Sequence, residues 1–69
     1  MKYLNLRTEM LRYKLKQNDL AKLLGLSKTT LSFKLHGTSD FKLDEVNTIL
    51  KEFKKYNKDI TYEYLFKES

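Results

Sequence analysis

An all-α domain of five helices is predicted by three features of this 69-residue chain. Apolar residues recur at spacings of three and four along most of its length, which is the period of a helix with one buried face. Proline is absent, and the two glycines, Gly25 and Gly37, each stand where a periodic run stops. A chain this short is expected to form a single domain over residues 1–69, near the lower size limit for an unaided core, with no room for a separate effector domain.

The first helix is expected from about Leu4 to Lys14, because Leu6, Met10 and Tyr13 share a face while Arg7, Arg12 and Lys14 lie off it. Leu15 tucks under the next turn. The second helix starts between Lys16 and Asn18 and carries Leu20, Ala21 and Leu24 on one side. Gly25 can take a left-handed backbone without a Cβ penalty, so it ends that helix and turns the chain. Ser27 then offers a hydroxyl to the free N–H groups of a third helix, Lys28 to His36, with Leu31 and Leu35 buried. A fourth helix is expected from about Leu43 to Lys55, on the spacing of Leu43, Val46, Ile49, Leu50 and Phe53. Its first turn holds Asp44 and Glu45 and its last Lys54 and Lys55, matching the helix dipole. Phe41 is an expected core anchor, and Thr61 caps a short last helix carrying Tyr64, Leu65 and Phe66.

Two short helices joined by so tight a turn read as a helix-turn-helix. Gln17, Leu20, Ala21, Leu24, Gly25, Leu26, Ser27, Leu31 and Gly37 stand at the spacing of one family. The segment resembles the DNA-binding helix-turn-helix of the phage repressor and Cro family, including related small bacterial regulators. The resemblance implies a five-helix lambda-repressor-like domain whose third helix enters the major groove, in a small phage or prophage-type transcriptional repressor. Two positions depart from the family's pattern. Many relatives pair an Arg in the first helix with a Glu near the end of the third; here Met10 and Leu35 hold those places and are expected to touch. Phe33 stands where polar readers are common, and two readings stay open: contact with a thymine methyl, or packing back onto the domain.

Net charge is +5, and it is unevenly spread. Residues 1–36 hold eight Lys or Arg against two acids, whereas residues 37–69 hold six against seven. The basic charge accompanies the motif, as binding a polyanion requires. Taking 100° per residue, Thr29 and Phe33 point away from Leu31 and Leu35, with Ser32 beside them. Carried over residue by residue, the resemblance implies that Gln17, Lys28, Thr29, Ser32 and Phe33 are the base-facing group. Gln can bond bidentately to adenine, Lys can donate to guanine, and Thr can use hydroxyl or methyl. Asn18, Thr38, Ser39 and Lys42 suit phosphate oxygens, while Lys34 is assigned to phosphate or solvent. Tyr62, Tyr64 and Phe66 are the expected dimer surface, since a domain this small cannot bury every ring.

The expected partner is double-stranded DNA carrying a palindromic operator, bound by a homodimer. No cofactor, metal or small-molecule ligand is expected. One histidine and no cysteine leave no nucleophile with its base and no thiolate metal site, so an enzyme is not expected. With no apolar run of membrane-spanning length and no signal-peptide core, the expected location is the cytoplasm of a bacterial or phage-infected cell. The rival reading keeps the scaffold but binds protein, as an antirepressor or antitoxin subunit would. Its sequence hints are Phe33 on the outward face and Leu23 off the main stripe.

Overall fold

The computed structural model describes residues 2–68, and its helices follow in the expected order. They are α1 (Leu4–Arg12), α2 (Gln17–Leu24), α3 (Lys28–His36), α4 (Leu43–Lys54) and α5 (Tyr62–Leu65). No strand occurs among the described residues. Helix α2 packs against α3 and α4, and α5 closes the other side by packing on α1 and α4. At the centre lie Leu6, Leu20, Leu31, Leu35, Ile49, Phe53 and Leu65, all fully buried. Each contributes roughly 1.5–3 kcal/mol through removal from water, which matters in a domain of this size.

Three helices end by the same device. At Gly25 (φ +69°) the glycine N–H donates to Lys22 O at 3.2 Å, and Leu26 N–H reaches back to Ala21 O at 2.9 Å. Gly37 (φ +86°) repeats it, donating to Lys34 O at 3.2 Å while Thr38 N–H donates to Phe33 O at 2.9 Å. This left-handed closure satisfies carbonyls that a helix end leaves unpaired. Gly37 has a second reason to lack a side chain, since a Cβ there would lie 2.7 Å from Lys2 Cδ. Helix α1 closes likewise, with Leu15 N–H on Met10 O at 2.8 Å, but the left-handed residue is Lys14 (φ +57°). The helix therefore stops at Arg12, short of the expected Lys14, and the turn carries Leu15 against the core.

Helix starts divide into two kinds. Ser27 Oγ accepts from Thr30 N–H at 3.1 Å and Thr61 Oγ1 from Tyr64 N–H at 3.2 Å, as hydroxyl caps should. Helices α2 and α4 instead begin after Lys16 and Lys42, whose side chains have no acceptor. There the acid three residues on turns back: Asp19 accepts from Lys16 N–H at 3.1 Å, and Glu45 from Lys42 N–H at 2.9 Å.

Met10 and Leu35 are both buried in the one core cluster, so no charge pair occupies that place. Phe41 packs beside Tyr3 and Phe66 at ring separations of 5.8 and 5.6 Å. Leu43 corrects the sequence reading: it is the first residue of α4 and stays 76% exposed, while the stripe begins at Val46. Leu43 shares a side with Leu50, itself only partly buried, so that edge of α4 lies beyond what its neighbours cover.

A β-carbon in the left-handed region costs roughly 1–2 kcal/mol, against the entropy a glycine loses on folding. Replacing Lys14 with Gly is therefore expected to stabilise the domain by about 0.5–1 kcal/mol, measured as a rise in the thermal midpoint; a lower midpoint would contradict this account of the α1 turn.

Candidate nucleic-acid interface

Local rules explain why α3 shows two different sides. Ser27 starts it, Gly37 stops it, and Leu31 and Leu35 turn one side fully inward. Lys28, Thr29, Thr30, Phe33 and His36 are left exposed, with Ser32 half-buried. Phe33 is 51% exposed, and the carbonyl at its own position is occupied by Thr38 and Ser39 N–H groups. Its ring does not fold into the core. Gln17, Lys28, Thr29, Ser32 and Phe33 together line one open depression of about 400 Å³. All five expected base-facing residues thus meet at a single surface, with Gln17 contributed by the first residue of α2.

Lys34 corrects the sequence reading. It is buried, and its Nζ donates to Glu45 Oε1 at 2.5 Å. The ammonium is directed to α4 and is spent there, on neither phosphate nor solvent. Glu45 Oε1 also accepts Lys42 N–H, so one carboxylate joins α3 to the start of α4. Burial alone would raise the Glu45 pKa; the Lys34 ammonium and the Lys42 N–H outweigh that and hold it below the ordinary carboxylate value. A signal for this was present in the sequence, because Lys34 stands three residues after Leu31 on the inward side. Glu9 was missed for the same reason. It stands three after Leu6, is buried, and accepts from the Tyr64 hydroxyl at 2.9 Å and from Arg12 Nε at 3.3 Å.

Pairing also sorts the basic half of the chain. Lys2 meets Glu68 at 2.8 Å, Arg12 meets Glu9 and Lys34 meets Glu45. Among the described residues, Arg7, Lys14, Lys16, Lys22 and Lys28 form no ion pair, and all five are exposed. The side chains of Asn18, Thr38, Ser39 and Lys42 are exposed as well. Asn18 lies in the first turn of α2, and the other three lie in the α3–α4 connection. His36 bends onto its own helix, with Nδ1–H donating to Ser32 O at 2.8 Å.

The rings expected at a dimer surface divide. Phe66 is partly buried and packs edge-on against Tyr3 and Phe41, completing the core's aromatic margin. Tyr64 is partly exposed, but its hydroxyl is held by Glu9, which raises its pKa; desolvation adds to the rise. Tyr62, 51% exposed, stacks over Phe66 at 5.5 Å. No helix is long and apolar enough to cross a membrane among the described residues.

This arrangement of a capped outward helix, a preceding helix whose first residue joins its face, and a basic flank is that of a helix-turn-helix DNA-binding unit. The model of the Cro/C1-type HTH DNA-binding domain matches residues 5–60, and the chain belongs to that family. No curated protein and no solved structure matches the chain. Membership makes DNA the class of partner for the domain.

Because its folded pKa is lowered, Glu45 contributes stability above the ordinary carboxylate pKa of 4.5, and that contribution fades as pH falls through the lowered value. Glu45→Gln leaves Lys34 buried without a counter-charge. It is expected to cost roughly 3 kcal/mol in urea unfolding at neutral pH, with the gap to wild type closing as pH falls below the ordinary value of 4.5 and through the lowered one. A gap independent of pH would mean that the pair does not carry the effect.

Proposed function

We propose that this domain binds double-stranded DNA with sequence preference, laying α3 in the major groove as a small transcriptional repressor of the phage or prophage type. The observation that carries the reading is the convergence of Gln17, Lys28, Thr29, Ser32 and Phe33 on one open surface of a Cro/C1-type domain. Phosphate attraction comes from the unpaired cations, which release condensed counterions and choose no sequence. Asn18, Thr38, Ser39 and Lys42 fix register on the backbone. Base choice falls to Gln17, Lys28 and Thr29 by hydrogen bonding and to Phe33 by apolar contact with a thymine methyl.

One such unit makes few base contacts, so two copies are proposed on a palindromic operator, with half-sites about 34 Å apart. Tyr62 and Tyr64 are the exposed rings of the last helix that support a dimer surface there. Selection of bound fragments from a random duplex pool tests this reading. A two-fold consensus with one-turn spacing is the expected product, and an unenriched pool would overturn it. Affinity for random duplex should also fall steeply with salt, with a log–log slope of about −3 to −5 for several phosphate contacts; a flat response would favour the protein-binding alternative.

Phe33→Ala is expected to relax preference at one operator position about tenfold while costing at most about 1 kcal/mol of stability, since the ring is already half exposed. Unchanged preference with a marked loss of stability would assign the ring to packing instead.

A further inference from the structure

A second depression, of about 510 Å³, lies on the far side of Gln17, between α1 and the turn that leads into α2. Its floor is apolar and built from Met10, Leu11 and Leu15. Leu11 is 70% exposed although it sits inside α1, and Leu4 lies seven residues before it on the same side of the helix. The rim is basic, formed by Arg7, Lys14 and Lys16. No acidic side chain lines the depression, and Asp19, the acid next in sequence, turns its carboxylate to the Lys16 N–H. The three rim cations belong to the group that forms no ion pair among the described residues.

We propose that this groove docks a short acidic segment of a partner protein, anchored by a large apolar side chain over Leu11 and flanked by Asp or Glu that meet Arg7, Lys14 and Lys16. Phosphate alone would use the rim and gain nothing from the floor, whereas an apolar segment alone would leave the cations uncompensated. A segment combining both satisfies both, as in helix-in-groove recognition with added charge complementarity. Gln17 lines this groove and the reading surface alike. An occupied groove therefore brings acidic side chains to the edge of the DNA-facing surface and opposes duplex binding, a step that rests on the proposed DNA reading.

The test is selection of a displayed library of random peptides, about 12 residues long, on the full chain, followed by anisotropy titration of synthetic copies of the enriched sequences. Enriched peptides are expected to bracket an aliphatic or aromatic residue with at least two acids. Leu11→Gln should weaken them at least tenfold while leaving folding and DNA affinity unchanged, and Arg7→Gln with Lys14→Gln should weaken them further and flatten their salt dependence. An unenriched library, peptides without acidic excess, or undiminished binding to Leu11→Gln would overturn the proposal. So would adsorption to phosphatidylglycerol vesicles that Leu11→Gln abolishes while peptides do not bind. Addition of a bound peptide should raise the apparent Kd for duplex DNA at least tenfold; binding without competition overturns the coupling alone. Failure of the wild type to bind any DNA would overturn the DNA reading and leave the peptide result standing.

Discussion

The buried ion pair between Lys34 and Glu45 ties the helix with the outward polar side to the helix that carries much of the core. Leu31 and Leu35 supply most of the attraction holding α3 to the body, but apolar burial is non-directional and tolerates small rotations. A charged hydrogen bond has a definite geometry. With Glu45 also accepting the Lys42 N–H, its carboxylate cannot follow Lys34 without opening the start of α4. The pair costs desolvation, and its value lies in breaking so unfavourably when one partner is lost. Met10 and Leu35 are both apolar and buried, and the ionic tie of α3 runs to α4.

That anchoring has a consequence on the opposite side of α3. Once Leu31, Lys34 and Leu35 are committed inward, Thr29 and Phe33 can only point out, and Gln17 joins them because Gly25 folds α2 back against α3. The surface follows from helix periodicity and one left-handed turn. Its charge follows from which cations found partners: Lys2, Arg12 and Lys34 are neutralised within the chain, which leaves Arg7, Lys14, Lys16, Lys22 and Lys28 of the basic half, and Lys42 of the α3–α4 connection, outside any ion pair among the described residues.

The parts of this structure that sequence reading recovers are those set by neighbours a few residues apart. Gly25, Ser27 and Gly37 act within their own turns, and the leucine spacing of α2 and α3 needs only a helix of 3.6 residues per turn. The helix-turn-helix and the five outward residues were accordingly readable. Long-range partners were not. Glu9 depends on Tyr64, fifty-five residues away, and Lys34 on Glu45, eleven away. Both stand three residues after a buried leucine, where the period says inward and the side-chain type says outward; only the fold provides the counter-group that decides. Leu43 shows the reverse, an apolar residue at the right period but at a helix start that nothing covers. Lys14 could not be placed from its type, since lysine has no preference for the left-handed turn it occupies.

The account stands or falls on which side of the molecule meets DNA. Amide shift mapping of the labelled domain with duplex DNA in dilute buffer measures this directly. The largest perturbations are expected at Gln17, Lys28, Thr29, Ser32 and Phe33, with the Lys34–Glu45 tie unmoved. Perturbations centred instead on α5 or on the Glu9 side of α1, or none at all, would contradict it.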